Sequence, residues 1–287
     1  MAKLPTLLFC VGATKASTSW LFRYLSGHPD CHLQKSKELH FFDNLDAAPQ
    51  LARVTLLQSE LDALRAEYQA APRPALAARI ASADAWLEVL KSGNTQSYLD
   101  FLTKNIGQKH LTADITPAYA LLPIDRLRTM AALLPDVRFV YVLRDPVARL
   151  WSHVRMSAYQ RGGDFMVQAA QVFDAVMAGT QSGLLNRGDY KSALQRLDAA
   201  VDPSRLLVMF QEVLLTVPGI QRLCAFLGIA QHDANFADRV HAGPQLAMTD
   251  NQKMRAQQFL RPQYQYVADR FGQLPEAWLR NMGEGVA

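Results

Sequence analysis

The stretch VGATKASTSWLFRYLSGHPD, Val11 to Asp30, decides how the rest of the chain is read. It follows the apolar run LPTLLFCVG and leads directly into a helical pattern, the layout of a buried strand, a loop and a helix. Leu7 to Val11 form the strand and Gly12 ends it. Ser17, Thr18 and Ser19 are helix-capping types ahead of Trp20, Leu21, Tyr24 and Leu25, which share one helical face. A loop in this position suits an anion, because unpaired amides and the helix dipole converge there with Lys15 and the hydroxyls.

The loop is nevertheless not that of a nucleoside triphosphatase. That loop needs GxxxxGK followed by Ser or Thr, so that amides wrap the phosphates and the hydroxyl meets magnesium. Here the eight residues are GATKASTS, with Lys15 three positions after Gly12 and no GK pair. Losing the magnesium arrangement points to a different phosphoryl or sulfuryl donor.

The strand-to-helix unit recurs. VRFVYVLR, Val137 to Arg144, is β-branched and aromatic, and Pro146 then opens a helix carrying Val147, Leu150, Trp151 and Val154. RLLVMF, Arg205 to Phe210, precedes a helical stretch through Ile220, Leu223, Phe226 and Leu227 that Gly228 stops. Near-continuous apolar strands alternating with helices predict an α/β, P-loop-like three-layer fold, a central parallel sheet flanked by helices. At about residues 45–108 the composition shifts to alanine, leucine and charge, and APRP at Ala71 to Pro74 breaks two helical stretches. This reads as a helical insertion over the sheet edge. From Arg239 on, the loop HAGPQLAMTDN precedes a helical pattern around Phe259 to Phe271.

With 287 residues, 49% hydrophobic and 20% charged, the chain is most simply one domain spanning 1–287. Its net charge of +4 fits an anionic ligand, but the positive charges are scattered and no basic tract marks a nucleic-acid partner. Cys10, Cys31 and Cys224 are an odd and widely spaced set with neither CxxC nor metal-ligand spacing, so reduced thiols in a cytoplasmic protein are expected. No run of about 18 apolar residues exists to span a bilayer.

Five ordered segments carry a family resemblance. GATKASTSWLFRYLSGHPD resembles the 5′-phosphosulfate loop of the sulfotransferases, close to GxxKxGTTxL with a helix ending in HP. SKELHFFD, Ser36 to Asp43, is similar to the KEPHFFD segment of the heparan-sulfate type and related bacterial sulfotransferases, and DITPAYALLP, Asp114 to Pro123, to that group's E-x-[TS]-P-x-Y segment. YVLRDPVARLWSHVRMS, Tyr141 to Ser157, resembles the 3′-phosphate motif, and RGDYKSALQRL from Arg187 a later G-x-Y-x-x-x-L element.

The resemblance implies a sulfotransferase moving a sulfuryl group from 3′-phosphoadenosine 5′-phosphosulfate (PAPS) to an acceptor hydroxyl or amine, and its likeness to glycan-sulfating members suggests a glycan or glycolipid acceptor. Adenosine 3′,5′-bisphosphate (PAP) would be released, and no metal is required. It implies that Lys15 bridges the 5′-phosphate and the leaving oxygen over the amides of Ala16, Ser17, Thr18 and Ser19, with Trp20 beside the adenine. Arg144 and Ser152 would hold the 3′-phosphate. Glu38 would be the base, with His40 the second candidate. Asp114 either lines the acceptor pocket or is a buried capping group, and Arg187 and Tyr190 either touch the nucleotide or start a helix. Arg144 and Asp145, read alone, form a local ion pair at a turn. The departures are Ser17 for the loop glycine, Ser19 for the second threonine, and Leu39 for a proline, which is expected to loosen the chain after Glu38. The glycine- and lysine-rich C-terminal phosphate loop is missing, and HAGPQLAMT, His241 to Thr249, takes its place. The alternatives are a magnesium-ATP kinase with a degenerate P-loop and a noncatalytic binder of nucleotide or sulfated ligand.

Overall fold

The computed structural model describes residues 4–238 and 243–282. Five strands, β1 (Thr6–Gly12), β2 (Cys31–His32), β3 (Leu111–Ile115), β4 (Val137–Leu143) and β5 (Leu206–Phe210), form one sheet in the order β2-β3-β1-β4-β5. Every pairing is parallel, with Phe9 opposite both Asp114 of β3 and Phe139 of β4. The helices between them are α1 (Thr18–Gly27), α2 (Ala47–Ala70), α3 (Pro74–Ser92), α4 (Thr95–Thr103), α5 (Ile124–Ala131), α6 (Pro146–Arg161), α7 (Phe165–Met177), α8 (Ser182–Asn186) and α9 (Tyr190–Ala200). After β5 follow α10 (Gln211–Leu214), α11 (Val217–Leu227), α12 (Asp250–Phe271) and α13 (Glu276–Met282).

The three strands expected from apolar runs are present, and their burial explains those runs. Residues 7–12 of β1 are all buried, and so is all of β4 except Arg138, because helices cover both faces of a parallel sheet. The structure adds β2 and β3. Residues of β3 are fully buried although Thr112 and Asp114 are polar, which hid this strand from a hydrophobicity reading. The helical stretch between β2 and β3 is α2 to α4, broken where APRP stands: α2 ends at Ala70 and α3 starts at Pro74.

The sheet delivers its central strands to one rim. Gly12 ends β1 opposite Tyr141, and a Cβ there would overlap the Tyr141 ring, so only glycine lets the chain leave the sheet at this point. β4 ends beside it at Leu143, and Asp145 caps α6 by accepting from the Ala148 amide at 2.7 Å. Asp145 is buried, and it also accepts from Tyr264 Oη at 2.6 Å and Asn281 Nδ2 at 3.0 Å. It is therefore a cap that ties α12 and α13 to the sheet and makes no ion pair with Arg144 among the described residues.

Candidate functional site

The loop after β1 is anchored by the Ala13 amide on Val142 O, at 2.8 Å. Lys15 and Ser17 both adopt left-handed backbone, with φ of 70° and 57°. Ser17 occupies the N-cap of α1, yet its side chain makes no capping bond. The Ala16 amide is used inside the loop, on Ala13 O at 3.1 Å, and the first α1 amide to find a backbone acceptor is that of Leu21, on Ser17 O at 3.0 Å. The amides available to a ligand thus begin at Ser17, not Ala16. Thr18 is buried and Ser19 half-buried. Trp20 is 6% exposed; its ring lies parallel to Tyr24 and Phe236, and its Nε1 donates to Asn235 O at 2.9 Å.

Opposite the loop runs α6. Arg144 Nη1 donates to Lys15 O at 2.8 Å, and the Arg144 carbonyl accepts from Tyr190 Oη at 2.5 Å. Tyr190 is fully buried, so its role is to fix Arg144 as well as to begin α9. Ser152 lies one turn before Met156 on α6, and Met156 Sδ is 3.5 Å from Lys15 Nζ. Arg155, beside Met156, donates to Gln245 Oε1 at 3.1 Å, and Trp151 Nε1 donates to Leu246 O at 2.6 Å. The segment from Gly243 to Thr249 therefore lies along the helix that carries Ser152, while His241 and Ala242 fall outside the described residues.

The third wall is the segment after β2. Lys37 Nζ forms an ion pair with Glu38 Oε1, Glu38 Oε2 stands 3.7 Å from His40 Nε2, and His40 Nδ1 is 2.6 Å from Asp43 Oδ2. Glu38 and His40 both have positive φ, 60° and 56°, so the segment is not extended. The buried Leu39 between them anchors it in the core, which corrects the expectation that losing proline loosens the chain here. Asp114 is buried too: it accepts from Tyr98 Oη at 2.9 Å, Tyr119 Oη at 2.8 Å and Thr116 Oγ1 at 2.6 Å. Tyr119 Oη in turn accepts from the Phe41 amide at 2.9 Å. Asp114 is thus the hub that positions the 37–43 segment, and not an exposed acceptor-pocket group.

The electrostatics separate two halves. Burial lowers the Lys15 pKa, and the charges of Arg144, Arg155 and Lys37 lower it further, while Glu38 opposes. Burial and Arg155 also weaken protonation of Arg144. Thr14 Oγ1 and Arg155 Nε are buried without a hydrogen-bond partner. Cations converging with orphaned donors at a helix start fit a polyanion. In the other half burial alone would raise Glu38, but His40 and Lys37 overcome it and hold the carboxyl at about 2. Burial would lower His40, but Asp43 and Glu38 raise it to about 9. Burial and the neighbouring Arg149 push His153 down to about 3.

Sequence reasoning missed Lys37, Asp43 and Arg155. Asp43 stands in the quoted SKELHFFD, three residues after His40, and that spacing was its only signal.

The model of the family described as "Sulfotransferase family" matches residues 5–233, a span that holds the loop, the 37–43 segment and α6. This chain belongs to the sulfotransferase family. No curated protein matches it significantly. Among solved structures, a sulfotransferase from Alicyclobacillus acidocaldarius is similar with a TM-score of 0.63 at 19% identity, over 97% of this chain and 100% of that one. The sulfotransferase domain from the Synechococcus PCC 7002 olefin synthase is similar with a TM-score of 0.52 at 18% identity, over 90% of this chain and 95% of that one. At these identities the likeness bears on the fold, and it agrees with the parallel sheet flanked by helices. The family makes this sulfotransferase a transferase, and no helix among its described residues is long and apolar enough to cross a membrane.

Proposed function

We propose that this sulfotransferase uses PAPS as donor and sulfates an acceptor hydroxyl or amine, acting as one domain in the cytoplasm. The observation that carries the reading is the convergence of Lys15, Lys37, Arg144 and Arg155 on the start of α1, with Glu38 as the opposing acid. The donor, when bound, supplies an electrophilic sulfur and a phosphate leaving group. Lys15 and the amides from Ser17 on hold the 5′ side, while Arg144, Ser152 and Arg155 hold the 3′-phosphate. Lys15 neutralises the bridging oxygen as its bond to sulfur breaks.

Glu38 takes the acceptor proton as the new oxygen–sulfur bond forms. At neutral pH His40 is protonated and Glu38 ionised, so Glu38 is the member able to accept a proton. An anion near Lys15 and Lys37 competes with Glu38 for the Lys37 ammonium, which raises the Glu38 carboxyl toward a working range. His40, fixed by Asp43, orients Glu38 and steadies its charge.

Calorimetric titration with PAP, 5′-AMP and magnesium-ATP tests the donor. Tight binding that needs the 3′-phosphate and weakens roughly 100-fold in Arg144→Ala supports the reading. Indifference to the 3′-phosphate, or preference for magnesium-ATP, overturns it in favour of a kinase.

A further inference from the structure

A cavity of about 230 Å³ reaches the Glu38–His40–Asp43 cluster at Asp43, which is part of its lining. That is below the roughly 300–1,000 Å³ of drug-sized pockets and matches a single ring. Phe42, Leu122 and Pro123 give it an apolar wall, and its charged lining is Asp43, Asp46, Arg126 and Arg187. Three of those charges are committed. Asp43 holds His40, and Arg126 donates to Phe42 O at 2.8 Å and to Asp46 Oδ1 at 3.1 Å.

Arg187 is different. It is half-buried, and while its backbone amide donates to Leu185 O, its side chain forms neither an ion pair nor a hydrogen bond among the described residues. Its backbone is fixed from the far side. The Gly188 amide donates to Leu185 O at 2.8 Å, and Gly188 packs so closely on the buried Arg149 guanidinium that a Cβ there would overlap it. Behind Arg187 stand Arg149 and His153, whose hydrogen bonds go to each other and to Leu184 O, with no carboxylate. Across the cluster, Arg53 of α2 has a buried Nε without a partner, and its charge acts on His40. The acceptor side therefore holds two guanidiniums, those of Arg187 and Arg53, that no carboxylate pairs among the described residues.

Resting on the sulfotransfer reading above, we propose that Arg187 is the anion anchor of the acceptor. The acceptor is then a ring-sized hydroxyl compound bearing a carboxylate, phosphate or sulfate, with that group on Arg187, its ring on the Phe42 wall and its hydroxyl toward Glu38. A guanidinium suits this task because its planar donor fork pairs with two oxygens of one anion.

The test uses matched probes on the full chain, titrated with and without PAP: methyl β-D-glucuronide against methyl β-D-glucoside, and 4-hydroxybenzoate against 4-hydroxybenzamide. The wild type is expected to bind the charged member of at least one pair roughly tenfold or more tightly. Arg187→Ala should abolish that preference, and Arg187→Lys should keep part of it, with PAP affinity unchanged in both. No charge preference in either pair, or a preference that survives in Arg187→Ala, overturns the anchor. PAP binding weakened tenfold in Arg187→Ala also overturns it, by placing Arg187 in the donor site. Failure of the wild type to bind PAP counts against the sulfotransfer reading alone, since the probe titrations without PAP still decide the anchor.

Discussion

His40 Nδ1 lies 2.6 Å from Asp43 Oδ2 while its Nε2 faces Glu38 at 3.7 Å, so one imidazolium is shared between two carboxylates. The arrangement raises His40 to about 9 and holds Glu38 at about 2. The sign of each contribution follows from its direction. The raised His40 stabilises the fold fully below its ordinary value of 6.5 and loses that contribution as pH rises through about 9. The depressed Glu38 contributes above its ordinary 4.5 and loses its part as pH falls through about 2. Thermal unfolding between pH 6 and 9.5 should show the wild type losing about 2 kcal/mol relative to His40→Gln, a figure reduced for partial exposure. Asp43→Asn should move the loss to lower pH. Identical slopes in wild type and His40→Gln would show that the pair does not form in solution.

Lys15 should separate function from stability. The side chain is half-buried, its one hydrogen bond among the described residues is to a thioether, and three other cations press on it. Lys15→Met keeps the side-chain volume and removes a desolvated charge. The fold should gain about 0.5–1 kcal/mol, while turnover with PAPS falls at least ~100-fold and PAP binding weakens. Paired measurement of Tm and kcat decides it. A destabilised variant would mean that the cation cluster is satisfied by the protein itself.

Ser17 stands where the resemblance expects glycine, and its φ of 57° gives the physical reason for that preference. Left-handed backbone costs a side-chain-bearing residue about 1 kcal/mol, and glycine avoids that cost. Ser17→Gly should therefore stabilise the fold by about 0.5–1 kcal/mol, or a few degrees in Tm, without weakening PAP binding. A fall in PAP affinity would give the Ser17 hydroxyl a direct place in the phosphate site.

The strands that built the sheet were legible because burial on both faces leaves β1 apolar after Thr6 and β4 apolar apart from Arg138. β3 was not, since its buried Asp114 and Thr112 are satisfied by the neighbouring Thr116 and by Tyr98, Tyr119 and the Leu102 carbonyl, and no local pattern announces the last three. The two-residue β2 is too short to carry a period. At the site, Lys15, Glu38, His40 and Arg144 stood inside recognisable segments. Arg155 also stood in such a segment, but its part in the site was hidden, because its link to Lys15 depends on how α6 lies against the loop. Arg187 stood in a recognisable segment as well, but that its side chain lines a cavity with Asp43 and Asp46 and forms no ion pair among the described residues is a property of the fold.

Asp114 offers the last test, of how the core controls the 37–43 segment. It accepts three hydroxyl donors, and one of them, Tyr119, holds the Phe41 amide directly below Glu38 and His40. Asp114→Ala leaves buried hydroxyls of Tyr98, Tyr119 and Thr116 without their acceptor, and should cost about 3 kcal/mol. Asp114→Asn keeps one oxygen for the two phenols and turns an amide toward Thr116, whose hydroxyl can rotate to accept it. Its cost should be only about 1 kcal/mol. Because the hub governs where Glu38 sits and not how the donor is held, both variants should keep PAP affinity within a few-fold. Turnover should fall in the order wild type, Asn, Ala, tracking stability. Equal turnover in all three, with the stability order intact, would detach Glu38 from the hub and overturn this account of how the segment is positioned.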